Sequence, residues 1–272
     1  MTSPREHLPH MIRLAREAGV MIAEAFKRDV SVEWKGPRDP VTEVDRAVNA
    51  FLCRELAKVA PEVGLVAEET DEATNLVAQQ RPTLMFIDPL DGTQEFVDRR
   101  PEFVVLLGLV VGNRPVAGVV HVPMSCETYY AVAGEGAFGI AADGSEKRLC
   151  VSARSVAEEA FAVVTRSHGS PRLQKALAKL GVQKRPCGSA GLKAVRIAEG
   201  AADVWMSPGP AGMRWDVAAS ECLLSEAGGR MTDGLGRAFD YRNGLRNDAG
   251  ILASNSLLHE RAVAAMAYGE EP

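Results

Sequence analysis

Between residues 63 and 133, five short apolar runs (63–67, 84–87, 103–111, 115–122 and 128–133) are punctuated by turn-forming Gly, Asn and Pro. This pattern limits the fold more than any other feature. Runs this short are strands, and five in succession read as one sheet. Ahead of them Leu8, Met11, Ile12, Ala15, Ala18, Ile22 and Phe26 recur every three or four residues, predicting an amphipathic helix that buries one stripe. Thr42-Glu43-Val44-Asp45 has capping-box spacing and opens a second helix whose stripe is Val44, Ala47, Val48, Phe51 and Leu52. The Gly, Pro and charged residues of 31–39 predict a loop between the two helices, a candidate lid.

The second half alternates. Strands are expected at 161–165, 203–207 and 250–253, and helices at 171–180, 189–199, 216–227 and 255–268. A meandering α+β half (1–148) therefore precedes a layered α/β half (149–272), the two packed as one unit. The polar, glycine-containing stretch 134–147 is the expected separator.

With 46% hydrophobic and 25% charged residues, the 272-residue chain has an ordinary globular composition. A net charge of -5 argues against a nucleic-acid polymer as partner while leaving room for a local basic pocket. Five cysteines without a C-x-x-C pair give neither a disulfide framework nor a zinc knuckle, which fits a reducing cytoplasm. No apolar stretch reaches the length of a membrane span. Gly134-Glu135-Gly136-Ala137-Phe138-Gly139 matches a dinucleotide fingerprint but leads into no helix, so it reads as a glycine-rich hairpin.

The sharpest chemical feature is Phe86-Ile87-Asp88-Pro89-Leu90-Asp91-Gly92-Thr93, an apolar strand ending in two carboxylates. Pro89 gives no ladder hydrogen bond, so the strand is expected to stop near Asp88 and turn, gathering both acids at one point. Hard divalent cations take oxygen ligands of this kind, and the Leu90 carbonyl offers another. A helix beginning at Gly92-Thr93 would aim its free amides at the same point, a place for phosphate. A plain Asp-rich turn capping a helix uses the same residue types. An aspartyl-phosphate mechanism fits poorly, because its two aspartates lie two apart on one strand and here the spacing is three, with Pro between. Glu68-Glu69 ends another apolar run, and Asp216 stands where an apolar helix begins. Alone, Glu68-Glu69 reads first as a solvated strand end and Asp216 as a partner for the helix dipole, and it is their combination with the Asp88–Thr93 turn that points to a site.

Taken in order, Pro40-Val41-Thr42-Glu43-Val44-Asp45, Ala67-Glu68-Glu69-Thr70, Asp88–Thr93 and Trp215-Asp216-Val217-Ala218-Ala219 resemble the motifs of the inositol monophosphatase superfamily, Mg²⁺-dependent and lithium-sensitive phosphatases. The resemblance runs through nearly the whole chain. It implies an αβαβα layered sandwich, an α+β fold, and two or three Mg²⁺ ions held by Glu68, Asp88, Asp91, Asp216 and the Leu90 carbonyl. It further implies that Asp45 and Thr93 orient a metal-bound water, with Glu69 in support. Phosphate-ester hydrolysis needs charge neutralisation and an in-line nucleophile, which such a cluster supplies without a covalent intermediate.

Asp91-Gly92-Thr93-Gln94-Glu95-Phe96-Val97, Thr165-Arg166-Ser167-His168, Gly188-Ser189-Ala190-Gly191-Leu192-Lys193 and Ser207-Pro208-Gly209 look more like the bacterial bisphosphate nucleotidases of the superfamily. The inositol enzymes carry an acidic sugar-binding residue shortly before the Trp-Asp pair, and 207–213 contain no acid. Arg166, His168, Gly188, Ser189 and Lys193, with Gly92 and Thr93, are the expected substrate-binding residues, suited to a second phosphate. Gln94 departs from the Lys of many bacterial relatives. The expectation is a cytoplasmic monomer or homodimer acting on a small phosphorylated substrate, adenosine 3',5'-bisphosphate first. An inositol or related sugar phosphatase, or an inactive metal-binding protein, are the other readings.

Overall fold

The structure, a computed structural model, describes residues 4–36, 39–166 and 169–268. It opens with α1 (Pro4–Ala25), whose buried face carries Met11, Leu14, Ala15, Ala18 and Ile22 as the apolar repeat predicts. The expected loop is instead a ribbon in which β1 (Val32–Gly36) pairs antiparallel with β2 (Asp39–Thr42). Its first strand alternates only over Val32-Glu33-Trp34-Lys35, is largely exposed and lies among Gly, Pro and charged residues, which hides it from sequence patterning. The Thr42 hydroxyl then accepts from the amides of Val44 and Asp45, and the Asp45 carboxylate accepts from the Thr42 amide, closing the expected capping box on α2 (Glu43–Val59).

The first sheet has seven strands in chain order. β3 (Gly64–Ala67) crosses over through α3 (Glu72–Ala78) to lie parallel to β4 (Thr83–Asp91). After α4 (Thr93–Val97), an antiparallel meander follows: β5 (Val104–Val111), β6 (Arg114–Val122), β7 (Glu127–Val132), β8 (Gly136–Ile140) and β9 (Glu146–Arg148). The stretch 134–147, expected to separate two halves, thus supplies β8 and β9 of this same sheet. Backbone pairing holds these strands, and glycine-rich or charged strands need no apolar run to pair.

A second sheet follows a 3₁₀ turn (Ala157–Glu159). Its members in sequence are β10 (Phe161–Val164), β11 (Gln183–Pro186), β12 (Val204–Ser207), β13 (Arg230–Thr232) and β14 (Ile251–Ser254), in the order β11-β10-β12-β14-β13. Its helices are α5 (Pro171–Leu180), α6 (Ala190–Ala198), α7 (Arg214–Glu226) and α8 (His259–Tyr268). The exposed β11 and the three-residue β13 gave no pattern to read.

Side-chain parity stacks the layers. Met85, Ile87, Val105 and Leu107 of the first sheet pack with α1 and α2, while Leu84, Phe86, Val104 and Leu106 pack with α6 and α7. Burial on both faces is why these strands read as continuous apolar runs. Val163, Trp205 and Ala253 of the second sheet join the α6/α7 core, and Ala162, Met206 and Leu252 meet α5 and α8 on its far side. The result is the αβαβα sandwich. The central helix α7 lies so close to the first sheet that a Cβ on Gly118 would stand 2.4 Å from the Ala219 carbonyl oxygen.

Candidate active site

β4 carries the first acids into the space beneath α6 and α7. The strand does not stop at Asp88 as expected but runs to Asp91 through a bulge. Asp88 opposes Leu106 and Asp91 opposes Val104, so three steps on β4 meet two on β5. Pro89 sits in the bulge, where a missing ladder donor costs nothing. The parallel neighbour β3 brings Glu68 alongside, its amide donating to the Ile87 carbonyl at 3.1 Å. From the other side, α7 contributes Asp216, whose Oδ2 accepts from the Met213 amide at 2.7 Å.

The electrostatics of Glu68, Asp88 and Asp216 are those of like charges crowded out of water. Asp88 is only 2% exposed. Burial, followed by the charges of Glu68, Asp91 and Asp216, holds its carboxyl well above the usual range. Burial outweighs the neighbouring Lys35 and raises Glu68 to about 8. Burial and the Asp91 charge raise Asp216 to about 7. Such a cluster binds protons or cations.

The chemistry of the donors fits a hard cation, since every group is a carboxylate or carbonyl oxygen. Among the described residues no three acidic, histidine or cysteine side chains already converge as an ion cage. Asp91 accepts from the amides of Ala190 (3.0 Å) and Gly191 (2.6 Å) at the start of α6, and Asp88 Oδ1 accepts from the Leu90 amide at 3.0 Å. Each carboxylate oxygen keeps a second lone pair for a further partner.

Beside the cluster, the Thr93 hydroxyl lies 2.9 Å from Asp45 Oδ1 and 3.1 Å from the Leu90 carbonyl oxygen. Asp45 is buried, and desolvation raises it above its ordinary value despite hydrogen bonds from Thr42 and Thr93. Glu69 is raised by burial and paired with Lys35 Nζ. Gly92 takes the left-handed conformation, φ 101°, that lets the chain turn from β4 into α4.

A cavity of about 400 Å³ opens against Asp216, with Thr165, Ser170, Lys193, Trp205 and Ser207 among its walls. Lys193 is buried, lies 5.3 Å from the Trp205 ring centroid, and donates to the Ser189 carbonyl at 2.8 Å. Ser189 caps α6, its hydroxyl accepting from the Leu192 amide. The other expected substrate residues stand apart from these walls. Arg166 and the Gly188 amide are both bound to Glu102. Gln94 is tied to Asp98 on α4. His168 lies outside the described residues.

A profile of the inositol monophosphatase family matches residues 4–269. The chain belongs to the inositol monophosphatase family. Its activity class is phosphoric monoester hydrolysis. Within this family it is similar to the 3'(2'),5'-bisphosphate nucleotidase CysQ of Aggregatibacter actinomycetemcomitans, with 36% identity over 239 residues, 83% of this chain and 84% of the relative. CysQ of Haemophilus influenzae is 33% identical over 86% of this chain and 87% of its own length. Solved structures of the family superpose closely. The extragenic suppressor protein suhB of Bartonella henselae gives a TM-score of 0.83 at 28% identity, covering 95% of this chain and 97% of that one. The Thermotoga maritima IMPase gives 0.82 at 29% identity, covering 97% of each.

Three residues beside the site escaped the sequence reading. Lys35 reaches Glu68 (3.5 Å) and Glu69 from β1. Glu95, raised by burial and opposed by the Lys193 charge, sits behind the Gly92 turn. Glu102 joins Arg166 to Gly188. The signal for Lys35 was a lysine just before the Pro40–Asp45 motif, and for Glu102 an acid abutting an entirely apolar strand.

Proposed function

We propose that the chain is a Mg²⁺-dependent, lithium-sensitive 3'(2'),5'-bisphosphate nucleotidase that hydrolyses adenosine 3',5'-bisphosphate to AMP and phosphate, clearing a by-product of cytoplasmic sulfate assimilation. One observation carries the reading: the carboxylate cluster around buried Asp88 adjoins a cavity whose other wall presents the buried cation of Lys193, in a chain similar to the CysQ nucleotidases over most of its length. Lys193 suits a second phosphate, and among the described residues nothing acidic besides Asp216 lines the cavity.

Glu68, Asp88, Asp91, Asp216 and the Leu90 carbonyl are the residues that hold the two or three Mg²⁺ ions. When bound, these ions neutralise phosphoryl oxygens and lower the pKa of water. The protein's own part is positioning and proton handling. Asp45, whose raised carboxyl is a competent base, takes the proton of the attacking water through the Thr93 hydroxyl hydrogen-bonded to it. Glu69, fixed by Lys35, keeps negative potential behind this pair. Ser189 and the Gly92 turn border the reacting phosphate, and Lys193, which shares the cavity wall with Asp216, holds the second one.

Phosphate release from adenosine 3',5'-bisphosphate and from inositol 1-phosphate, measured side by side with and without Mg²⁺ and with added Li⁺, tests the reading. A Mg²⁺-dependent, Li⁺-inhibited preference for the nucleotide is expected. Preference for inositol 1-phosphate would overturn the role given to Lys193.

A further inference from the structure

We propose that Glu102 is a positioning residue that sets the preference for a bisphosphate over a monophosphate, and that Arg166 acts as its strut and does not contact phosphate. The proposal rests on the nucleotidase reading and deepens it.

Glu102 stands where three segments of the site meet. Its carboxylate takes both forks of the Arg166 guanidinium, Nε to Oε2 at 2.8 Å and Nη2 to Oε1 at 2.7 Å. Oε2 also accepts from the Gly188 amide at 2.9 Å. These charge-assisted bonds, Arg166 first, hold the Glu102 carboxyl below its ordinary value. Its backbone is wedged as well. A Cβ on Gly188 would stand 2.8 Å from Glu102 Cβ and from its carbonyl oxygen, and a Cβ on Gly92 would stand 3.0 Å from the same oxygen. Neither glycine has room for a side chain, so Glu102 fastens the Gly92 turn of the first sheet to the segment that leads into α6.

The segment it fastens is the one that matters for the second phosphate. Gly188 is followed by Ser189, which caps α6 and accepts from Lys193, and by Ala190 and Gly191, whose amides hold Asp91. Two carboxylates of the first half, Glu102 and Asp91, therefore hold three backbone amides of the second, those of Gly188, Ala190 and Gly191. Together they fix where Ser189, and with it Lys193, stands relative to the metal-ligand cluster, which is the placement a second phosphate depends on. Arg166 spends its Nε and Nη2 donors on the Glu102 carboxylate and is absent from the cavity wall, so its charge serves Glu102.

The test is the ratio of kcat/KM for adenosine 3',5'-bisphosphate to that for adenosine 3'-monophosphate, measured in wild type, Glu102→Ala, Glu102→Gln, Arg166→Ala and the Glu102→Ala/Arg166→Ala double variant. Losing a charge-assisted bidentate bond is expected to lower this ratio by about tenfold, carried mainly by KM for the bisphosphate. Glu102→Gln, which keeps an acceptor for Gly188, should fall between. The double variant should be no worse than the worse single, because the two residues act as one unit. A ratio that rises in Glu102→Ala would mean that the freed Arg166 binds phosphate, and additive losses in the double variant would mean independent contacts. Either result overturns the proposal, as does an unchanged ratio with lowered stability, the mark of a purely structural pair. A wild type without preference for the bisphosphate would instead overturn the nucleotidase reading itself.

Discussion

Replacing Glu68 by Gln should stabilise the metal-free protein while destroying its activity. Glu68 shares a water-poor space with Asp88 and Asp216, and its carboxyl is lifted from 4.5 to about 8. At about 1.4 kcal/mol for each tenfold change in proton affinity, ionising it in the folded chain at pH 8 costs a ceiling of about 4 kcal/mol. The neighbouring acids share that repulsion and the amide must still be solvated, so about 2 kcal/mol is expected for Glu68→Gln, or about 4 °C in Tm.

The sign follows from proton counting. Between the unfolded values, 4.5 for Glu68 and 3.8 for Asp216, and the folded values near 8 and 7, the folded chain holds protons that the unfolded chain has released. Stability in EDTA therefore falls as pH rises across that window, and saturating Mg²⁺, which binds the deprotonated acids, should flatten the fall. At pH 5 the gap between wild type and variant should shrink to less than about 0.5 kcal/mol, because the folded wild type keeps its proton and the only cost left is the partial ionisation of the unfolded chain. Thermal unfolding in EDTA at pH 5 and pH 8 is the assay. A variant less stable than wild type at pH 8, or a gap that does not depend on pH, would refute the argument from crowded charge.

Other substitutions probe separate parts of the account. Thr93→Ala should lower kcat by about a hundredfold with its Mg²⁺ dependence retained, as read from initial rates across a metal titration. Lys193→Met should lower kcat/KM for the bisphosphate by about thirtyfold. It should also move the acidic limb of the pH–rate profile upward, because the Lys193 charge that lowers Asp216 is gone. Gly118→Ala, which drives a methyl to 2.4 Å from the Ala219 carbonyl, should cost about 2 kcal/mol in chemical denaturation, since backbone cannot yield as a side chain does.

What could be read from sequence follows burial. α1, α2 and α5 were legible because one face of each is packed and the other wet, which imposes a helical period. The strands around Phe86 and Leu106 were legible because both faces are covered. β1 and β11 were not, because their side chains are exposed and only the backbone pairs. The acids at Glu68, Asp88, Asp91 and Asp216 stood out as carboxylates attached to apolar runs. Their partners did not: Lys35 lies 34 residues from Glu69, and Glu102 lies 64 from Arg166 and 86 from Gly188. Pro89 misled because a bulge admits the residue that a regular ladder forbids.

The central claim is that acids of the first sheet and of α7 form one metal-dependent centre. Phosphate release from adenosine 3',5'-bisphosphate by wild type and by Asp216→Asn across a Mg²⁺ titration tests it most directly. The account predicts saturable, strictly Mg²⁺-dependent turnover in wild type and a loss of about a thousandfold or more in the variant. Turnover by Asp216→Asn at the wild-type rate and with the same Mg²⁺ dependence would contradict it.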